Sequence, residues 1–330
     1  MNAERAGDTD WAYRLREHRG TLLAFAGFVA MFTIYATNHP AGLNANVATT
    51  AANKGVLLAL VAMAQTLVVL TSGIDLSVGT VMVLANCLAS YIVVGSPLMT
   101  ALGVVGVLAA GLACGALNAA IVIYGRLQPI VTTIATGAIF YGLALKLRPV
   151  PGGDVNGTLG DALTGQVFSL PASLIALLVL VLWVPLRHSV TGRAIYAVGS
   201  SELAAYMSGV PIRRAKFVAY TLSGLLASMA GLFVTFITSS GEASAANGST
   251  YTLYSIAAVV LGGVSLFGGS GSAIGAIFGA LMFRTIGDLL FVFNLDPLWQ
   301  PLFQGLVLLA AVCVGSARLF QVRNRLELFP

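Results

Sequence analysis

The sequence RHSVTGRAIYAVGSSELAAYMSGVPIRRAK, at residues 187–216, is a charged segment set between two long apolar runs. Four apolar residues within it recur at positions i, i+3, i+4 and i+7, namely Leu203, Tyr206, Met207 and Val210. This spacing places their side chains along one face of a helix. Ser200 or Ser201 can cap the start of that helix, and Glu202 suits the positive end of its dipole. Gly209 ends it by adopting a left-handed conformation, so the segment predicts a helix of about two turns.

Basic residues surround this short helix on both sides. They are Arg187, Arg193, Arg213, Arg214 and Lys216. Two interpretations of such an amphipathic, basic segment are open. It is either a contact site for another protein or a helix that lies flat on the lipid surface.

The composition identifies a membrane protein. Hydrophobic residues make up 58% of the 330 positions, charged residues only 9%, and the mean hydropathy is +0.90. A soluble domain would carry about 25% charged residues. The net charge of +5 reflects basic residues that orient membrane helices. It does not indicate a basic face for nucleic acid, which we exclude as a partner.

The apolar runs predict how the chain is organised, since about 20 apolar residues are needed to cross a bilayer as a helix. The fold class is an all-α polytopic integral membrane protein with about ten transmembrane helices and a short cytoplasmic helix. We predict the membrane helices at residues 21–37, 47–70, 77–94, 98–123, 129–147, 170–186, 215–238, 251–264, 273–293 and 301–314. Residues 1–20 form a cytoplasmic N-terminal segment, residues 21–316 a single membrane domain, and residues 317–330 a cytoplasmic tail. The first span lacks a small-x-small cleavage site, so we expect it to stay attached.

The basic residues also predict the orientation. The ten spans put 13 of the 17 lysines and arginines on one side of the membrane, together with both termini. This side is expected to be the cytoplasm, so residues 187–216 should lie there as well. The loops at residues 148–169 and 239–250, on the other side, are rich in small and polar residues. They either form a docking surface for an external protein or simply connect helices.

Two glycine-rich breaks separate predicted spans. Residues 71–79 read TSGIDLSVG, and residues 262–269 read GGVSLFGG. Both contain the same seven-residue pattern, in which a Gly and a β-branched residue are followed by any residue, a Leu, any two residues and a second Gly. The pattern covers residues 73–79 in the first break and residues 263–269 in the second. Matching breaks in the two halves of a chain suggest an internal repeat, and interrupted helices in transporters often lie beside the substrate path.

Polar residues in or near the spans are candidates for a translocation path or gate, since polar groups in a bilayer must face protein or water. The candidates are Gly73, Asp75, Ser77, Gln65, Asn86, Asn118, Thr132, Arg284 and Asp288. Each has a structural alternative. Arg284 and Asp288 lie at i and i+4, close enough to pair on one helix face. Asp75 can cap the third span, and the amides and hydroxyls can bond neighbouring helices or a polyhydroxyl solute.

Signals for catalysis are absent from the sequence. No G-x-x-x-x-G-K-[ST] phosphate loop occurs, so ATP hydrolysis would require another chain. The three histidines are scattered, and Cys87, Cys114 and Cys313 lie far apart in apolar runs. We therefore expect no catalytic residues, no metal site and no cofactor in this chain.

Three motifs carry a resemblance to a known family. They are SGIDLSVGTVMVLA at residues 72–85, GRAIYAVGSSELAAYMSGVPIRRAKFVAYTLSGLLASMAGL at residues 192–232, and VVLGGVSLFGGSGSAIGA at residues 259–276. Their sequences and order resemble the permease subunits of bacterial ABC importers for monosaccharides, the ribose, xylose, arabinose and galactose group. The resemblance covers nearly the whole pattern of spans.

The resemblance implies an inner-membrane subunit that works with three partners. These are a cytoplasmic ATP-binding cassette subunit, which would use ATP and Mg, a periplasmic sugar-binding protein, and a second permease copy, identical or homologous. It also implies that the short helix couples the permease to the ATPase. The coupling residues implied in this way are Gly199, Ser200, Ala204, Ala205 and Gly209, with Glu202, Leu203 and Met207 as neighbours.

One other function class is retained as an alternative. An ion-coupled secondary transporter of a small polar solute would also have broken helices and polar residues in the membrane. It would be expected to carry more buried carboxylates for ion coupling. It would have no use for an isolated amphipathic helix in a cytoplasmic loop.

Overall fold

Helices make up nearly all of the computed structural model, which describes residues 4–42, 44–153, 155 and 171–316. In chain order they are α1 (Glu4–Asn38), α2 (Ala45–Val69), α3 (Val78–Ile92), α4 (Pro97–Tyr124), α5 (Pro129–Leu147), α6 (Pro171–Leu178), α7 (Val184–His188), α8 (Val190–Ser200), α9 (Glu202–Met207), α10 (Ile212–Thr238), α11 (Ala245–Leu261), α12 (Ala273–Val292) and α13 (Gln300–Ser316). A π-helical turn, Val179–Trp183, joins α6 to α7, and a 3-10 turn, Pro297–Trp299, precedes α13. The predicted all-α class is confirmed for this part of the chain.

Among the described residues, six helices are long and apolar enough to cross a membrane. They are His18–Asn38 within α1, α2, α4, α5, α10 and α12. The bent pair Ser173–His188 and Val190–Ser200, with an angle of 70° between its halves, would make a seventh span. The predicted count of ten is not confirmed. The predicted segments at residues 77–94, 251–264 and 301–314 fall on α3, α11 and α13, which have only 15, 17 and 17 residues.

Helix α2 is the centre of the bundle. Its residues from Gly55 to Val69 are all buried, and it packs against α10, α11 and α12. This burial explains why residues 55–69 are predominantly apolar on every face, whereas an amphipathic stripe would mark a helix at the protein surface. Helices α4 and α5 lie at the periphery and expose many large apolar side chains, as lipid-facing helices do.

Helix α10 separates two ends of the molecule. It has 27 residues and is therefore about 40 Å long. It begins at Ile212, close to α9, and this side of the molecule is called the α9 end. It finishes at Thr238, and that side is called the far end. At the far end a two-way backbone contact joins Gly152 to Gly241, with N–O distances of 3.1 and 2.9 Å. The predicted external loops therefore meet there, although most of residues 148–169 lies outside the described part of the chain.

Helices α2 and α11 end in the same way at the two glycine-rich breaks. Ser72 has a φ of +63° and Gly263 a φ of +75°. In each case the next residue donates a backbone hydrogen bond five residues back, Gly73 to Val68 at 3.2 Å and Val264 to Val259 at 3.1 Å. This is the Schellman end of a helix. Ser72 thus corresponds to Gly263, whereas the sequence pattern paired Gly73 with Gly263 and was displaced by one residue.

Candidate coupling site and translocation path

Helix α9 forms as the apolar spacing predicts. The Ser201 hydroxyl accepts a hydrogen bond from Ala204 N at 3.3 Å, so Ser201 and not Ser200 is the cap. Ser200 instead donates to Tyr196 O at 2.9 Å. Gly209 has a φ of +72°, and nothing in the described residues would contact a side chain there. The left-handed end of the helix is therefore confirmed at Gly209.

The outer face of α9 is apolar and exposed. Leu203, Tyr206 and Met207 are 74%, 70% and 78% exposed. Val210, the fourth member of the predicted stripe, instead packs against the core, and Ala205 is buried. Three large apolar side chains therefore project together from one end of the molecule, next to a group of arginines. Such a cluster is typical of an interaction site.

A salt bridge holds α9 against the next helix. Lys216, on α10, donates to both carboxylate oxygens of Glu202 at 2.8 Å. Because Glu202 is exposed, the pair adds little stability. Its effect is to fix the direction in which the six-residue helix points relative to α10.

Both glycine-rich breaks meet the chain immediately before α9. A Cβ atom on Gly199 would lie 1.9 Å from Leu70 O and 2.4 Å from Gly269 N, so no other residue fits there. Gly269 N donates to Leu70 O at 3.1 Å. We call this contact the junction and define it by Leu70, Ser72, Gly199, Phe267 and Gly269.

Two side chains reinforce the junction. The Ser72 hydroxyl lies 2.9 Å from Gly199 O and 2.7 Å from Phe267 O. The Tyr196 hydroxyl donates to Gly271 O at 2.7 Å. Sequence reasoning missed these roles of Ser72, Tyr196 and Phe267, since no spacing in the chain links residues that are more than 70 positions apart. The junction joins the end of α8, directly before α9, to the end of α2 and to the glycine-rich loop between α11 and α12.

The Ser72 contacts predict a measurable contribution to stability. Ser72→Gly keeps the left-handed backbone but removes the hydroxyl from two carbonyls. Ser239→Gly is the matched control, because Ser239 is also left-handed, with a φ of +51°, and is exposed at the far end. We expect Ser72→Gly to lower the free energy of unfolding by about 1–2 kcal/mol more than the control. Denaturant unfolding of the purified protein would measure this difference, and equal values for the two variants would contradict the role of Ser72.

Three of the predicted path residues form one buried polar cluster between α2 and α3. Asp75 Oδ1 accepts from Ser77 N at 2.9 Å and from the Ser77 hydroxyl at 2.6 Å. Asn118 Nδ2, on α4, donates to the Ser77 hydroxyl at 2.8 Å. The Ser223 hydroxyl, on α10, lies 3.4 Å from Asp75 Oδ2. The cluster therefore ties the first break to two long helices.

Asp75 does not cap α3 in the way the sequence suggested. Ser77 is the residue directly before α3, and the Asp75 carboxylate accepts from the backbone N–H of Ser77 itself, not from the first turn of the helix. This is an Asx turn. Asp75 lies outside the helical spans, and burial raises the pKa of its carboxyl while hydrogen bonds from Ser77 and Ser223 lower it.

Gly73, Gln65 and Thr132 are buried at separate positions. Gly73 packs beside the Tyr220 hydroxyl, which a Cβ atom would approach to 2.8 Å. Neither polar atom of the Gln65 amide, in the middle of α2, has a hydrogen-bond partner among the described residues, and the same holds for the Thr132 hydroxyl. The structure therefore does not join these residues to the Asp75 cluster by hydrogen bonds.

Asn86 lies at the far end. Its Nδ2 donates to the Thr235 hydroxyl at 2.8 Å and to Ser240 O at 3.0 Å, and its Oδ1 accepts from Glu242 N at 2.9 Å. Asn86 therefore anchors the loop after α10 to α3. It also lines a cavity of about 280 Å³.

The expected Arg284–Asp288 pair is not the contact that forms. Asp288 Oδ1 lies 3.8 Å from Lys54 Nζ of α2, whereas Arg284 Nε has no hydrogen-bond partner within the described residues. Spacing along one helix permits a pair but does not exclude a competitor from a neighbouring helix. Arg284 and Asp288 line an apolar cavity of about 600 Å³ between α1, α2, α12 and the π-helical region.

Membrane-spanning helices, two broken segments and an exposed helix at one end are features of a polytopic transport protein. Residues 47–312 match the protein family described as the permease component of a branched-chain amino acid transport system. The chain belongs to this family of permease components.

Named relatives agree with this family. The chain is 36% identical to a protein of Sinorhizobium fredii named "Probable ABC transporter permease protein", over 94% of this chain and 95% of the relative. It is 36% identical to the ribose import permease protein of Escherichia coli K12, over 79% and 82% of the two chains. It is 34% identical to the fructose import permease protein of Rhizobium meliloti, over 79% and 75%. No solved structure matches the chain.

Proposed function

We propose that the chain is the transmembrane permease subunit of an ABC importer and forms the path for a monosaccharide. A periplasmic binding protein delivers the sugar, and a separate ATPase subunit, which binds ATP and Mg, drives transport. The single observation that carries this proposal is the exposed α9. Its apolar face packs on nothing among the described residues, and the junction lies at its start. The names of the relatives, ribose import and fructose import permeases, support the choice of substrate class.

The junction supplies a physical route from the ATPase to the membrane path. Two ATPase subunits that close on ATP would move a seated α9 as a rigid body. Because Gly199 touches both Leu70 and Gly269 without an intervening side chain, that movement would reach the end of α2 and the loop between α11 and α12 directly. The end of α2 leads within a few residues to the Asp75 cluster. Movement of this cluster would open the translocation path to one side of the membrane and close it to the other. Gly73, Gln65, Thr132, Arg284 and Asp288 remain candidates for residues along that path.

Each coupling residue has a structural place in this proposal. Leu203 and Met207 would enter the ATPase cleft, while Ala204 and the buried Ala205 form the body of the helix. Ser200 and Gly199 lead into it, Glu202 orients it through Lys216, and Gly209 ends it.

The proposed assembly contains two permease copies, identical or homologous, in the bacterial inner membrane. Both termini and α9 would face the cytoplasm, in line with the excess of basic residues on that side. The shorter helices α3, α11 and α13 would complete ten membrane segments by lying partly within the bundle. The far end, where the loops at Gly152 and Gly241 meet, would receive the binding protein. Lipid surrounds the apolar exterior.

Transport in reconstituted vesicles tests this function. Vesicles that contain the permease, its ATPase and the binding protein are expected to take up a monosaccharide only when ATP is present on the ATPase side. Omission of the ATPase subunit is expected to stop uptake completely. Uptake that continues without the ATPase but follows an ion gradient would contradict the proposal and favour the ion-coupled secondary transporter.

A further inference from the structure

We infer that each permease protomer has its own monosaccharide-binding pocket, in the cavity beside Asn86. This inference rests on the proposed function and assigns a substrate site within it. The cavity lies between α2, α3, α10 and α11 at the far end, next to the loop at residues 239–244. Its volume of about 280 Å³ falls just below the range of about 300–1,000 Å³ for pockets that hold drug-sized ligands. A smaller ligand, such as a single sugar ring, suits it.

The lining of this pocket is divided into a polar and an apolar part. The polar part contains Lys54, Asn86, Glu242, Asn247 and the hydroxyl or carbonyl groups of Thr238 and Ser240. The apolar part contains Leu57, Met82, Val83, Val234 and Ile237, with the ring of Tyr251 beside them. A monosaccharide has hydroxyls around its edge and C–H groups on its faces. Carboxylate and amide groups bond the hydroxyls, while an aromatic ring covers a C–H face.

Two polar groups in the pocket have no hydrogen-bond partner in the part of the chain that the structure describes. Within the described residues, neither the Glu242 carboxylate nor the Tyr251 hydroxyl makes a hydrogen bond to another residue. Asn86 differs, because both ends of its amide bond the α10 helix and the following loop. We therefore assign Asn86 a positioning role for the loop that carries Glu242, and direct sugar contacts to Glu242 and Tyr251.

Two helices that line the pocket, α3 and α11, are in backbone contact next to it. A Cβ atom on Gly79 would lie 1.9 Å from Gly248 O, so α3 and α11 are in backbone contact there. Gly79 N also donates to the Thr252 hydroxyl at 3.1 Å. On α3, Gly79 lies one turn from Val83, and on α11, Thr252 is adjacent to Tyr251. Both Val83 and Tyr251 line the pocket. The contact therefore holds together the two helices whose residues Val83, Asn247 and Tyr251 line the pocket.

Protection of a cysteine label tests the pocket without the binding protein. The permease carries the substitution Asn247→Cys and is assembled with its ATPase in nanodiscs. The rate at which the new cysteine reacts with a maleimide is then measured. The probe is a monosaccharide that the wild-type importer takes up, tested first as D-ribose and D-fructose. We expect the saturating sugar to slow labelling at least threefold. The matched control is Leu298→Cys, at the same end and 84% exposed, where the sugar should have no effect. Labelling of the parent protein gives the background from its native cysteines.

Further variants separate sugar binding from a general change in the loop. Adding Tyr251→Leu or Glu242→Ala to Asn247→Cys should abolish the protection, whereas Tyr251→Phe should retain part of it. Lack of protection by a sugar that the wild-type importer transports would overturn the pocket and leave the proposed function intact. If the wild-type importer takes up no monosaccharide, the proposed function fails and the pocket fails with it.

Discussion

Leu203→Asp is expected to abolish ATP-driven uptake while leaving the permease folded in the membrane. Leu203 is 74% exposed, so the change removes almost no packing within the chain. In a complex with the ATPase the new carboxylate would be buried in an apolar contact without a partner, which costs about 3–5 kcal/mol. That range corresponds to an affinity for the ATPase at least about 100-fold weaker. Co-purification and titration of the two subunits would measure the loss.

The matched control for this change is Leu298→Asp. Leu298 is also an exposed leucine, 84% exposed, but it follows α12 at the far end. We expect this variant to bind the ATPase like the wild type. Equal ATPase binding by Leu203→Asp and the wild type would show that α9 is not the docking helix.

Gly199→Val is expected to have the second largest effect, because it forces the junction apart. Even the Cβ atom would lie 1.9 Å from Leu70 O, and the three nearest atoms that it would meet all belong to the backbone. Overpacking of this kind costs about 1–3 kcal/mol. We expect uptake to fall at least about tenfold and the unfolding temperature to decrease. ATPase binding through Leu203 should persist, since α9 itself is unchanged.

Gly305→Val is the matched control for the added side chain. Gly305, on α13, has no atom of a described residue within 4 Å of a built Cβ. It should tolerate valine with little change in uptake or stability. A Gly199→Val variant that transports and unfolds like Gly305→Val would contradict the junction as the route from α9 to the broken helices.

Local features of the chain were predicted well from the sequence. The apolar spacing of Leu203 to Val210 and the stop at Gly209 gave α9, because a short helix and its ends depend on neighbouring residues. Hydrophobic length located the spans that became α2, α4, α5, α10 and α12. Length alone did not give the number of crossings, since α3, α11 and α13 are buried in or packed against the bundle without reaching full span length.

Long-range contacts could not be predicted. Ser72 and Gly199 are 127 positions apart, and no periodicity brings them together. Asp288 pairs with Lys54 of α2 and not with Arg284, because helix packing offered a cation that the spacing along α12 did not reveal. Each polar residue was a candidate for the translocation path on its own, because a polar side chain is energetically unfavourable in lipid. The structure then grouped Asp75, Ser77 and Asn118, whereas Asn86, in the middle of α3, bonds α10 and the loop at the far end.

The central claim is that the ATPase acts on this chain through α9. A photo-crosslinking residue in place of Met207, which is 78% exposed, tests it in vesicles that contain the complete importer. We predict that illumination joins the permease to the ATPase subunit, with a yield that changes when ATP is added, and that the same probe at Leu298 gives no such product. Failure of the Met207 probe to capture the ATPase in vesicles that still take up sugar with ATP would contradict the claim.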